Sequence, residues 1–256
     1  MRTGIARGLS RSVFRVPSLG VAALTVAGLS FALAGCSSSG TSTTASSTRS
    51  TPVSGSASAS ASSTDPDAGV LTGTQLKTAL VSTAIPSGYA IQSTDSQDSG
   101  STYQEPTASA PATPDCTHLE GTSWVNLAGY ESVSFAQNDY LDKDSSEEFL
   151  QEVDAYRGTT AQNVMTALGK MAGTCPSFTD SSTSSTVKVA VATGTSLGDG
   201  TVTITLTDPQ WQSSMTLVAV RVGQNVISVL NSATGNSATY AQTLASSLTS
   251  SVTKLG

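Results

Sequence analysis

Histidine is almost missing from this 256-residue chain, which holds one, His118, beside three cysteines and an aromatic content of 5%. Zinc is commonly held by several convergent Cys or His side chains, so a lone histidine argues against a zinc enzyme. Charge is also scarce, at 12% of residues, and basic charge is the scarcer sign, with 12 Lys and Arg against 18 Asp and Glu. Arg2, Arg7, Arg11 and Arg15 lie in the first 35 positions, where there is no acid, leaving eight basic against eighteen acidic residues beyond them, a net of −10. Phosphate backbones repel such a chain, so nucleic acid is not an expected partner. After residue 33 there is no further apolar run long enough to span a bilayer.

What is present begins with an export pattern. Residues 1–35 carry arginines, then an apolar run from Val21 to Leu33, then small residues before a cleavage point, the three parts of a secretory signal. The run ends in Leu33-Ala34-Gly35-Cys36, which resembles the bacterial lipobox. That resemblance implies cleavage before Cys36 and attachment of a diacylglycerol to its thiol, with palmitate-type acyl chains. Two chains on one residue anchor stably where one would be marginal. The expected location is the outer face of the cell membrane.

Residues 36–68 are nearly all Ser, Thr, Ala, Gly or Pro. Such a segment cannot offset its ordering entropy and reads as a flexible tether. As a Gly/Ser-type coil it would reach roughly 30 Å. A single folded domain is expected over 69–256, interrupted by an exposed, proline-containing loop at about 96–114. With Cys36 lipidated, two thiols remain, and outside the cytoplasm Cys116 and Cys175 are expected to pair.

Within the domain, Leu76, Ala79, Leu80 and Ala84 share a helical face, with Thr74 as its cap and Pro86 as its end. Tyr130 to Gln137 alternates like a strand. Glu147 to Arg157 fits either element: Phe149, Leu150, Val153 and Tyr156 have helical spacing, while Phe149, Val153 and Ala155 share one face of a strand. Thr160 can cap a helix bearing Val164, Met165, Leu168 and Met171, which Gly173 stops. Val187 to Val191 and Val202 to Leu206 alternate as amphipathic strands, and Met215 to Val222 and Val226 to Leu230 read as a buried hairpin. Tyr240, Leu244, Leu248 and Val252 mark a last helix.

Several motifs could carry chemistry. Gly194-Thr195-Ser196-Leu197-Gly198 matches the G-x-S-x-G of serine hydrolases, a pattern that works in a strand-turn-helix elbow. Here strands lie on both sides, and His118 precedes the serine, opposite to the hydrolase order. Ser251 to Lys254 matches S-x-x-K without companion motifs. Asp142, Asp144 and Ser146 have the start of a calcium loop, but Glu147 stands where glycine is required and Val153 where glutamate is. No catalytic residue, metal ligand or cofactor is therefore assigned. Trp124, Tyr130 and Trp211 are the candidate ligand-binding residues; aromatics at such spacing also serve as core.

The order of lipobox, tether, apolar strand, Thr-capped helix and cysteine, carried chiefly by Phe149 to Cys175, resembles the sensor-domain lipoproteins of actinobacteria. These are similar to the extracellular domain of PknH-type receptor kinases. The resemblance covers Val70 to Gly256 and favours strand over helix for Glu147 to Arg157. It implies an α+β domain, an antiparallel sheet packed against helices on one side, with a central cleft for an unknown ligand. The family commonly has two disulfides, and this chain can form one. The expected function is a lipid-anchored, non-enzymatic binding or sensor-like domain whose partner is a small molecule, a lipid or an envelope protein. The alternatives are a protein-interaction module for an envelope enzyme or kinase, and a cryptic serine hydrolase.

Overall fold

The computed structural model describes residues 65–106, 114–145 and 147–256. The expected signal, Cys36 and most of the expected tether lie outside the described residues. The last part of that tether does not: Asp67 accepts a hydrogen bond from Arg157 Nε at 2.7 Å, so residues 65–68 belong to the folded domain.

In chain order the elements are α1 (Gly73–Lys77), β1 (Tyr89–Ile91), β2 (Gln97–Asp98), two 3-10 turns (Cys116–Glu120 and Trp124–Ala128), β3 (Ser134–Asp142) and β4 (Glu148–Ala155). They continue as α2 (Thr160–Gly169), α3 (Met171–Thr174), β5 (Ser177–Thr179), β6 (Thr186–Gly194), β7 (Gly200–Thr207), β8 (Met215–Val222), β9 (Asn225–Asn231) and α4 (Ser237–Thr253). The strands form one nine-stranded sheet in the order β1-β3-β4-β9-β8-β7-β6-β5, with β2 also paired to β3, and every pairing is antiparallel.

Helices cover both faces, not the single side that was expected. On one face Leu150, Leu217, Val226 and Leu230 pack with α2, Met171 and the 3-10 turns. On the other, Val153, Val218, Val220, Ile227 and Val229 pack with α4 and with Leu76 of α1. The cause is in β8 and β9, whose successive residues are apolar: side chains alternate across a sheet, so a continuous apolar strand needs cover on both sides.

Local chemistry explains the element ends. Thr72, not Thr74, caps α1, in a capping box with Gln75. The segment expected as an exposed loop from 96 carries β2, and Tyr103 Oη donates to the Val70 carbonyl at 2.7 Å; residues 107–113 lie outside the described residues. Glu147 to Arg157 resolves as a strand, because β4 is flanked by β3 and β9 along its whole length. Asn231 holds the start of α4, its Oδ1 accepting from Ala233 N at 2.7 Å and its Nδ2 donating to the Ser237 carbonyl at 2.8 Å.

Cys116 and Cys175 form the disulfide, with Cα atoms 5.7 Å apart. It joins the first 3-10 turn to the residue that ends α3, so the layer over one sheet face is clamped at its rim.

Candidate functional site

The sheet face beneath α2 is apolar except in its middle. Register places Gln137 opposite Glu152 and Glu152 opposite Ser228, a polar row across β3, β4 and β9. Asp139 lies opposite Leu150, and Asp154 lies between Phe135 and Val226. Directly opposed residues share a face, so all five polar side chains project on the side of Leu150 and Leu230. Glu152 is 1% exposed, and Asp154 and Ser228 are 0%. Gln137 Nε2 donates to the Asp95 carbonyl at 2.7 Å, which fixes the β3 end of the row. Ser228 Oγ, buried at the other end, has no hydrogen-bond partner.

Inward positions of a central sheet normally carry Val, Ile or Leu. Burial of polar groups costs free energy unless hydrogen bonds or counter-charges offset it. Polar residues at such positions depart from the usual apolar pattern. The signal was present in the sequence: once β4 is a strand, Leu150, Glu152 and Asp154 share a face opposite Phe149, Gln151 and Val153. The helical alternative for Glu147 to Arg157 concealed it.

The three aromatics proposed from sequence do not form one cluster of equivalent rings. Trp124 is fully buried in the core on the α2 face, and its indole Nε1 is a second buried donor without a partner. Tyr130 is at the surface, 36% exposed. Trp211 packs at the edge of that core, and its Nε1 donates to Asp180 Oδ2 at 2.9 Å. Burial pushes the Asp180 carboxyl up, but hydrogen bonds from Ser182, Trp211 and Thr183 outweigh it and lower the pKa to about 2.

A concavity of about 470 Å³ lies on the opposite face between α4 and the start of β7. Ser196, Thr201, Thr203, Gln242, Thr243 and Ser246 line it. Ser196 belongs to the loop joining β6 to β7, so no helix follows it. Gly198 is held at φ +53, and a Cβ there would collide with the Arg221 carbonyl oxygen. That glycine is accounted for by the turn lying against β8. His118 is in the first 3-10 turn, whose Leu119 packs in the core on the other face, whereas Leu197 packs with the α4 side.

The acidic loop after β3 also has a local explanation. Asp142 Oδ1 accepts from the backbone N–H groups of Asp144 at 2.8 Å and Ser145 at 2.9 Å, and these bonds, led by that from Asp144, lower its pKa. Ser146, the third position of the calcium pattern, lies outside the described residues. Among the described residues, no group of three or more His, Cys, Asp or Glu could hold a metal ion.

The structure thus defines a disulfide-bridged α+β domain with a large antiparallel sheet and a polar set buried on one face. Among solved structures, the chain is similar to the extracellular domain of PknH from Mycobacterium tuberculosis, with 13% identity, a TM-score of 0.46, and coverage of 72% of this chain and 98% of that one. No protein-family profile matches the chain, and no curated protein sequence does.

Proposed function

We propose that this chain is a lipid-anchored, extracytoplasmic binding domain of the sensor type, and that it is not an enzyme. The observation that carries the binding role is the buried row Gln137, Glu152, Ser228 with Asp139 and Asp154 beside it. Binding sites place a small number of polar groups within an otherwise apolar lining, and this row has that composition. The extracytoplasmic site is supported by the leader pattern and by the bonded Cys116 and Cys175, since disulfides persist in oxidising compartments. The anchor is supported by Leu33-Ala34-Gly35-Cys36. The non-enzymatic reading is supported by Ser196, whose loop context and separation from His118 lack the elbow and the general base that a serine nucleophile needs.

Mass spectrometry of small molecules released from full-length protein extracted from membranes tests this. We expect one compound to be recovered in near-stoichiometric amount, and less of it from Glu152→Gln. Protein that carries nothing, takes up nothing from envelope extracts, or lacks acyl chains on Cys36 would count against the reading.

A further inference from the structure

We propose that the open edge of β6, residues 190–194, is an interaction surface for a second copy of this chain, the two β6 strands pairing antiparallel about a two-fold axis at Ala192. This goes beyond the binding reading above and does not depend on it. β5 is the last strand on that side of the sheet, and it covers only Thr186, Val187 and Lys188 of β6. Val189 N–H then donates to the Pro176 carbonyl at 3.1 Å, and the cover ends there. Pro176 has no N–H with which to extend the ladder. Among the described residues, no strand lies along the outer side of residues 190–194, and all five are exposed or half-buried.

Backbone direction fixes how a strand would add. Alternate residues send their polar groups to the same side of a strand, so the N–H and C=O of Val191 and Thr193 point outward with those of Val189. An antiparallel partner bonds through these two residues. Pairing Val191 with Thr193 of a second copy, and Thr193 with its Val191, makes two hydrogen-bonded pairs and sets Ala192 opposite itself in the non-bonded position between them. The register is self-complementary, as an isologous two-fold contact requires. Its length also fits: the open stretch is centred on Ala192, and beyond Gly194 the β6–β7 turn leads each strand back before it reaches the other copy's β5.

Composition points the same way. Natural sheet edges avoid pairing by carrying charges, prolines or bulges, or by being cut short. The opposite edge of this sheet is cut short, divided between β1 and β2. From Val189 to Gly198 there is neither a charge nor a proline, although beyond residue 35 acids outnumber bases by eighteen to eight. Two acidic copies therefore meet at a neutral stretch, where no like charges oppose one another. Val191 and Thr193 are β-branched and suit a strand. Five residues a side bury far less than the roughly 1,200 Å² of a stable interface, so the pairing is weak and concentration-dependent.

Oxidative trapping of the concentrated full-length protein tests the inference. Ala192→Cys should yield a disulfide-linked dimer that the parent chain does not, because the axis brings the two thiols to opposed positions about 4.5 Å apart at Cα. Ala190→Cys, exposed on the same strand and the same face, should give several-fold less, since its two copies are offset by four residues, about 14 Å. Adding Val191→Pro to the Ala192→Cys chain should abolish the dimer with the fold retained by circular dichroism, because that N–H faces outward and not into the β6–β7 ladder. Should that variant fail to fold, Ala192→Glu sets like charges at the axis and should remove the concentration-dependent dimer that sedimentation detects in the parent chain. Equal trapping at 190 and 192, no dimer from folded Ala192→Cys, or a dimer that survives Val191→Pro would each overturn the inference. So would preferential cross-linking of Ala192→Cys to a different protein in envelope membranes.

Discussion

Gln151 shows how single residues hold this fold. It is fully buried, and its amide mimics a strand neighbour for Val81, accepting from its N–H at 3.0 Å and donating to its carbonyl at 2.5 Å. Glu147 does similar work at the sheet edge, accepting from Tyr89 Oη at 2.9 Å and from Thr234 N at 2.8 Å, and so tying β1 to the start of the α4 connection. Asp180 is the residue whose charge has a measurable consequence. Its folded pKa, about 2, lies below the ordinary 3.8, so its contribution is fully present above pH 4 and is lost as pH falls through about 2. That contribution is about 2 kcal/mol. Asp180→Asn should therefore lower the melting temperature at neutral pH, and the gap to the parent protein should close between about pH 4 and pH 2. A gap that stayed constant over that range would show that the carboxylate charge is not what the loop uses.

At the scale of the element, β4 and the β6–β7 turn decide most. The pattern from Phe149 to Tyr156 satisfies both helical and strand spacing, and local propensity could not choose between them. Non-local pairing with β3 and β9 chose, which is information that lies in Ser134–Asp142 and Asn225–Asn231. The strands of β6 to β9 were legible because alternation of valines and threonines, or continuous apolar residues bounded by turn residues, is a local signal. The turn between β8 and β9 was legible for the same reason, with Gly223 at φ +58 supplying the backbone a tight hairpin needs. The G-x-S-x-G motif makes a sharp test of element against catalysis. Gly198→Ala should cost about 1 to 3 kcal/mol, through positive φ and the collision with the Arg221 carbonyl. Gly194→Ala, with open space around its Cβ and no positive φ, should be near neutral in the same thermal melts. Equal losses at both glycines would mean that the turn geometry is not the reason for the motif.

At the scale of the whole molecule, a two-faced sheet creates two cores, and the disulfide serves only one of them. The Cys116–Cys175 bond closes a separation of 59 residues and pins the 3-10 turns against the end of α3. In the chain-entropy model, such a loop corresponds to roughly 4 kcal/mol. Replacing both cysteines by serine should lower the denaturant midpoint accordingly. Hydrogen exchange should rise first in Cys116–Ala128 and α2, not in α4. Uniform loss of protection over both faces would show instead that the two cores unfold as one unit.

Sequence alone determined the strands and helices whose apolar periodicities repeat locally. It also determined which sulfurs pair, because two thiols within the expected domain leave a single combination. Only the tertiary structure decided that helices lie on both sides of the sheet, and that Glu152, Asp154, Asp139 and Ser228 meet on one of them. The reason is physical. Periodicity along a strand records which residues share a face, but which strands stand beside one another depends on contacts far apart in the chain, and the candidate site is made of three such strands.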